Sequence, residues 1–336
     1  MDNSVIVDAQ PSYAAEQSVD VFSNTKLFKP EKSSRAKKIK RLKANLTGWG
    51  FALWPLYTYA VFALVPFALS IYLSLTDLHV WNIEQAKFIG FDNYVWLLTS
   101  SDSMFFWSLY RTLYYCLSLP ISLFLGLFSS ILLTSRVKLK KMFPSILYIP
   151  NGVTMMWRIV FDANSGLVNY VIVACGGPRI DFFQSFSLFM PLVIFTTTWG
   201  AGAGSILFQA ALEQVNSSLV EAAKVDGANS SQVLFNITLP AISPTTFYVL
   251  ITSLIGSLQA MGSIQLFANN GYGPMNGQNQ PAGLTTVYYM YLMAFVNATA
   301  DGMGRASACA WILAILILIV TRVNFKLSDY WVCYDS

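Results

Sequence analysis

Charge is scarce in this chain. Lysine, arginine, aspartate and glutamate make up 11% of its 336 residues, where soluble domains carry about a quarter, and mean hydropathy is +0.51. Residues 182–212 and 227–300 hold no Asp, Glu, Lys, Arg or His at all. This excludes a water-facing surface over most of the chain and makes a bilayer its natural solvent. The single histidine, His79, follows the first apolar run, and all 17 acids lie outside the interiors of the apolar runs. The intramembrane carboxylate and histidine relays of proton-coupled carriers are therefore missing. Sodium coupling through backbone carbonyls stays open. No Gly-x-x-x-x-Gly-Lys-Ser/Thr phosphate loop is present, which removes that route to nucleotide binding. Gly200, Gly202 and Gly204 lack the following lysine and fit close helix packing better. A histidine base within a span, paired intramembrane aspartates and a Gly-x-Ser-x-Gly turn are also absent, which argues against an intramembrane hydrolase. Cys116, Cys175, Cys309 and Cys333 are far apart, with neither metal-ligand spacing nor a disulfide framework.

What the chain does have is long apolar runs. A helix crosses the hydrocarbon with roughly 20 apolar residues, and six segments come close: 50–76, 104–134, 142–161, 184–212, 241–265 and 306–323. The third is interrupted by Pro144, Pro150, Asn151 and Gly152 and carries Arg158 near its far end. Such a broken helix belongs beside protein or water rather than lipid. In a six-span arrangement 16 of the 21 lysines and arginines fall on one side, against Lys87, Arg111, Arg158, Arg179 and Arg305 on the other. The positive-inside rule then puts both termini in the cytoplasm. The first 48 residues lack an apolar signal core, so no cleaved leader is expected. Residues 1–25 read as disordered, and the basic stretch 26–43 reads as an orientation and anionic-lipid signal. The expected layout is a cytoplasmic tail over 1–48, a transmembrane domain over 49–327 holding a cytoplasmic loop at 213–240, and a tail over 328–336. Trp49, Trp96, Trp107 and Trp331 lie near span ends, where headgroup anchoring is the default role.

One polar island interrupts these runs: Glu221-Ala-Ala-Lys-Val-Asp-Gly227, followed by Ile237-Thr-Leu-Pro240. Ser218 with Glu221 has the capping-box spacing that starts a helix near Leu219. Gly227 can end that helix in the left-handed conformation. Asn229 with Gln232 offers a second box, and Pro240 discourages helix at Leu239. The pattern is a helical hairpin whose small residues let another surface approach. On spacing alone an ordinary well-capped surface hairpin is the favoured reading, because capping boxes are frequent and carry little functional specificity. Ala223, Gly227 and Val233 also have the spacing of a helix-turn-helix core. Residues 213–240, however, hold one lysine against Glu213, Glu221 and Asp226, and duplex binding needs several phosphate-neutralising cations. No nucleic-acid partner is expected.

The fifth run carries polar groups without charge. Ser253 and Ser257 are one turn apart, and Thr252, Gly256, Gln259 and Ser263 continue an adjoining stripe, giving one broad polar face. It could line a solute path, or bond neighbouring helices as Ser, Thr and Gln often do in membranes.

The whole string Glu221-Ala-Ala-x-x-Asp-Gly-Ala with Ile237-Thr-Leu-Pro240 resembles the Glu-Ala-Ala loop of permeases in binding-protein-dependent ABC importers. Phe88-Ile-Gly-Phe-Asp-Asn-Tyr94, Trp199-Gly200, Gly273-Pro274, Ala294-Phe295, Ala306-Ser-Ala308 and Phe325-Lys-Leu-Ser-Asp-Tyr-Trp331 extend the likeness over residues 50–334. They point to the carbohydrate branch that includes maltose and glycerol-phosphate permeases. The resemblance implies an all-α membrane protein of six transmembrane helices, the type I importer architecture, in a bacterial inner membrane. It implies a second homologous permease, an ATPase dimer that uses the ATP and magnesium, an extracytoplasmic sugar-binding protein, and no cofactor on this chain. Glu221, Ala222, Ala223, Asp226, Gly227, Ile237, Leu239 and Pro240 would form the ATPase-coupling loop. Positions matching Ser253, Ser257 and Gly200 contact sugar in the maltose-type permease, which with Gln259 makes them pathway candidates. An uncharged lining suits a neutral oligosaccharide or polyol; an anionic solute would call on Arg111, Arg158 or the partner subunit. The chain departs from many relatives at Asn216, where they carry Pro, and in the Asn-, Gln- and Gly-rich segment 269–281. The remaining alternative is a secondary carrier or channel for a small polar solute.

Overall fold

The computed structural model describes residues 34–78, 86–134, 154–199, 202–269, 271–296 and 302–333. Every named element among them is helical, and the only bridges are isolated pairs, Thr76 with Phe88 and Met275 with Pro281. The chain divides into two compact units, 1–67 and 68–336. In the first, helix Ser34–Tyr59 passes into a π turn, Ala60–Leu64. Proline explains the widening. Pro66 has no N–H to donate, and its ring would strike the carbonyl four residues earlier. A π turn displaces that carbonyl, with the Val65 N–H reaching back to the Ala60 oxygen instead. Trp54, Phe51 and Phe62 on this stretch are exposed, as lipid-facing side chains must be.

Among the described residues three helices are long and apolar enough to cross a membrane: Thr47–Ser74, Phe105–Thr134 and Gly302–Ser328. A fourth results if the pair Ser230–Ala241 and Ser243–Leu258, bent by 65°, is counted as one span. The six expected runs thus map unevenly. The fourth run is divided into Phe186–Thr198 and Gly202–Gln214, with Gly200 outside the described residues. Of the third run residues 154–161 are described, with helix Thr154–Val160 among them, and Pro144, Pro150, Asn151 and Gly152 lie outside. His79, the tail 1–33 and the basic turn 135–141 are outside as well. The fifth run ends its long helix at Leu258 and resumes as Gly262–Phe267. Composition had not singled out Thr286–Val296, which is apolar but too short to cross.

The core of the second unit gathers around helix Phe186–Thr198, whose Phe189, Met190 and Val193 are fully buried against Ile264, Leu284, Tyr288 and Cys309. Polar groups inside it are tied down. The Arg111 Nε donates to the Ala282 carbonyl at 2.6 Å, and the guanidinium lies 5.2 to 5.8 Å from the rings of Tyr114, Phe186 and Trp107. Trp107 donates to the Pro281 carbonyl at 2.8 Å, and Thr112 accepts from the Thr286 amide at 2.9 Å. The last helix closes on Thr76 through Gly304. A Cβ there would stand 2.1 Å from the Thr76 oxygen and 2.9 Å from the Asn93 Nδ2. That nitrogen is itself donating to the Ser74 and Thr76 carbonyls, so nothing nearby can yield cheaply.

Gly304→Ala is therefore expected to cost roughly 1–3 kcal/mol. The melting temperature of the detergent-solubilised chain should fall by about 5 °C. An unchanged melting temperature would show that the close approach relaxes freely.

Candidate functional site

The polar island folds as a hairpin, with two changes from the expected capping. Its first helix runs Ser217–Val225 and is capped by Asn216, whose Oδ1 accepts from the Ser218 amide at 3.0 Å and the Ser218 hydroxyl at 2.8 Å. The Ser218–Glu221 box does not form. Asn216 already has the extended backbone of a cap, so the helix starts two residues earlier and takes Ser218 into its first turn. The far end matches the spacing. Gly227 has φ +86°, the Ala228 amide bonds to the Ala223 carbonyl at 2.9 Å, and the Gly227 amide bonds to the Lys224 carbonyl at 3.1 Å. This is the Schellman pair of bonds, which needs a residue tolerant of positive φ.

Asn229 and Gln232 form the reciprocal capping box, both bonds at 2.8 Å. Helix Ser230–Val233 then widens into a π turn, Leu234–Thr238, and narrows again over Leu239–Ala241. Pro240 consequently does not end the helix at Leu239. As before Pro66, the wider turn takes up the missing donor, with the Leu239 amide reaching the Leu234 oxygen. The chain turns instead at Ile242, where φ is −92° and ψ is 5°.

Glu221, Ala222, Asp226 and Gly227 are exposed, Ala223, Ile237, Leu239 and Pro240 are half-buried, and Val233 is buried at the hairpin junction. The sequence reading passed over two neighbours. Val225 is 88% exposed and Phe235 66%, an unusual outlay of apolar surface on a polar loop. The signal was available: these are large apolar residues inside the one segment not bound for lipid. Behind the hairpin a groove of about 870 Å³ is lined by Asn216, Leu219, Asn236, Ile237 and Pro240 together with residues of helix Gly202–Gln214.

The second candidate cluster lies further along helix Ser243–Leu258. Ser253 and Ser257 face a partly open chamber of about 190 Å³ formed with helices Phe105–Tyr115, Ser118–Thr134, Phe186–Thr198 and Gly202–Gln214. Tyr115, Ser118, Ser122 and Thr197 add four more hydroxyls; Leu119, Leu123, Phe208 and Val249 supply apolar wall; no lining residue is charged. Tyr115 hydrogen-bonds to Thr197, whose hydroxyl also donates to the Val193 carbonyl at 2.8 Å. The side chains of Ser118, Ser122, Ser253 and Ser257 make no hydrogen bond among the described residues. Their neighbours on the same helices behave differently. Ser130 and Thr134 donate to backbone carbonyls one turn back, as does Thr252. Four hydroxyls left open in one cavity are thus a local arrangement, not the habit of these helices.

The expected single polar face is also corrected. Adjacent helical residues point about 100° apart, and Thr252, Gly256 and Gln259 are exposed on the outer side while Ser253 and Ser257 turn inward. Gln259 caps the C-terminus of the helix, and Ser263 belongs to the next one. Packing density explains the division: Gly204, Phe208 and Val249 close the inner side around the chamber.

The two arginines considered for an anionic solute are engaged elsewhere. Arg111 is 5% exposed and held by Ala282. The Arg158 Nη1 donates to the Leu266 carbonyl at 2.7 Å, with its guanidinium 5.9 Å from the Phe183 ring. The Asn-rich segment is internally braced. Asn276 accepts from the amides of Gln278 at 2.9 Å and Gln280 at 2.8 Å, and its Nδ2 donates to the Gln280 Oε1 at 2.9 Å. Gly277, Gln278 and Asn279 are left exposed at its tip.

The long apolar helices, the capped polar hairpin and the uncharged hydroxyl chamber together describe a helical membrane protein. Residues 105–328 match the family model described as binding-protein-dependent transport system inner membrane component. The chain is 31% identical over 303 residues to the probable ABC transporter permease protein YesP of Bacillus subtilis, covering 88% of this chain and 94% of that one. It is 30% identical over 257 residues to the arabinooligosaccharides transport system permease protein AraP of the same organism, 73% of this chain and 77% of that one. Its fold matches a chain in the crystal structure of a bacterial ABC transporter involved in import of the acidic polysaccharide alginate. There the TM-score is 0.71 at 24% identity, covering 87% of this chain and 98% of that one.

The chain belongs to the family of inner-membrane components of binding-protein-dependent ABC transport systems. It is a multi-pass permease of the inner membrane, and the ATPase of such a system is a separate subunit. The reading as an independent carrier or channel is set aside accordingly.

Proposed function

We propose that this chain, with a homologous second permease, forms the path by which an oligosaccharide or related polyol is imported, and that its Glu221 hairpin receives the work of ATP hydrolysis. The observation that carries the solute class is the chamber: six hydroxyls from four helices, four of them free, and no charge. A hydroxyl both donates and accepts, so such a lining can replace the water around a polyol group by group. A strongly anionic solute calls for a cation, and the buried Arg111 is occupied with Ala282. The likeness to AraP, an arabinooligosaccharides transport system permease protein, agrees with a saccharide. Ser253 and Ser257 are the pathway residues this reading favours. Gln259, on the outer side, and Gly200 remain candidates for the part of the path shared with the partner permease.

In the same reading six spans place both termini and the loop 213–240 in the cytoplasm, with tails over 1–48 and 328–336 flanking a transmembrane domain over 49–327. Two ATPase subunits, consuming ATP and magnesium, dock one on each permease. Here Glu221, Ala222, Ala223, Asp226 and Gly227 form the docking face, Val225 and Phe235 offer apolar anchors, and Ile237, Leu239 and Pro240 carry the load towards the span. An extracytoplasmic binding protein delivers the sugar on the other side, where the braced tip at 277–279 presents amides and backbone.

Two substitutions test the halves separately in the reconstituted complex. Ser257→Phe fills the chamber and is expected to abolish uptake while assembly and basal ATPase activity persist; undiminished uptake would take the chamber out of the path. Gly227→Pro forces φ near −65° where +86° is required and removes the amide bonded to Lys224, a loss of about 3 kcal/mol. Hydrolysis should then proceed without import. Wild-type import by an assembled Gly227→Pro complex would contradict the coupling role.

A further inference from the structure

The bend at Ile242 raises a mechanical question. A hairpin joined to a span through one non-helical residue has two soft dihedrals at the joint. Motion of the hairpin could be spent there and never reach Ser253 and Ser257, which lie about 15 and 21 Å further along the helix axis. The joint is braced from two sides. On one, Ile242, 1% exposed, packs with Phe208 and Val249 in a small apolar cluster that Leu123, Leu127 and Leu239 border.

On the other side stands the end of the chain. Helix Gly302–Ser328 stops at Ser328, and the turn that follows is closed by the Trp331 and Val332 amides donating to the Ser328 carbonyl at 3.1 and 2.9 Å. The backbone thus folds back on itself. It sets the Cys333 amide on the Ser243 hydroxyl oxygen at 2.8 Å, across 90 residues of sequence. Ser243 is the first residue beyond the bend and is 4% exposed. One turn on, Phe247, 6% exposed, meets Phe325 edge-on at 5.2 Å and Trp331 edge-on at 6.0 Å. The terminal segment grips the first turn of the helix by one hydrogen bond and an aromatic cluster of three rings.

We infer that segment 331–333 is a positioning strap: through Cys333 on Ser243 and Trp331 on Phe247 it stiffens the bend at Ile242, so that hairpin and span move as one lever. Its role in transport rests on the coupling reading above. Its stiffness does not. Without the strap the angle is set only by the Ile242 cluster, and the hairpin can swing while the chamber wall stays still.

The test measures the bend itself in the reconstituted transporter. Spin labels replace the exposed Ser230 and Gln259, with Cys175 and Cys333 changed to Ser to remove exposed thiols; Cys333→Ser keeps the amide. Pulsed electron resonance should give one narrow distance distribution that ATP does not shift. Trp331→Ala removes the ring, and Cys333→Pro removes the amide donor without touching a buried side chain. Each is expected to broaden the distribution roughly twofold and make it move on adding ATP. Trp331→Phe restores the aromatic contact and should restore the narrow distribution. Wild-type distributions in both Trp331→Ala and Cys333→Pro overturn the strap, whatever Gly227→Pro does. Broadened distributions together with coupled import by the Gly227→Pro complex leave the strap standing and remove the hairpin's coupling role instead.

Discussion

Lipid offers no hydrogen-bond partner, and nearly everything in this molecule follows from that. Each polar group placed among apolar helices must find its partner within the protein. The buried groups here do so with little variation. Arg111 is bound to a carbonyl and three rings, Asn93 to two carbonyls, Thr112 to an amide, and Ser130 to the carbonyls of Gly126 and Ser205. Against that background the open hydroxyls of Ser118, Ser122, Ser253 and Ser257 stand apart. A hydroxyl left unpaired among apolar helices costs free energy, and these four lie where a water or another guest can supply the partner.

The same constraint decides where work can enter. A bilayer-spanning chain so poor in charge has no Gly-x-x-x-x-Gly-Lys-Ser/Thr phosphate loop, and in the proposed function force arrives mechanically at the Glu221 hairpin. The hairpin has a well-fixed backbone. Its ends are closed by an asparagine cap, a left-handed glycine and a reciprocal box, each of which fixes backbone that would otherwise fray. From there the chain continues through a π turn and a braced bend into the helix that bears two of the open hydroxyls. The hairpin, the bend and the two chamber serines on the following helix lie on one covalent run of the sequence, from Ser217 to Leu258.

Much of this was legible beforehand, and the failures have physical reasons. Gly227 and the Asn229–Gln232 box could be read because caps depend on residues three or four apart. Ser218 misled because Asn216, a competing cap two residues upstream, determines the start. Pro240 misled because the rule that proline ends a helix assumes a ladder of uniform width. Spacing alone put Ser253 and Ser257 together, yet it merged them with Thr252, Gly256 and Gln259. Which side of a helix faces a cavity is decided by other helices, here through Gly204 and Phe208. The strap was not legible at all, since Cys333 and Ser243 are linked only by tertiary folding. Among the described residues apolar length likewise exceeded the unbroken spans, as where the fifth run breaks at 259–261 on local backbone rather than hydropathy.

The central claim is that the membrane part has no engine of its own. It is tested most directly by comparing proteoliposomes that hold this chain alone with proteoliposomes that hold it alongside its partner permease, ATPase and binding protein, each supplied with a labelled neutral oligosaccharide. The account predicts accumulation against a gradient only in the complete assembly and only with ATP. Uphill accumulation by the single chain, without nucleotide, would contradict it.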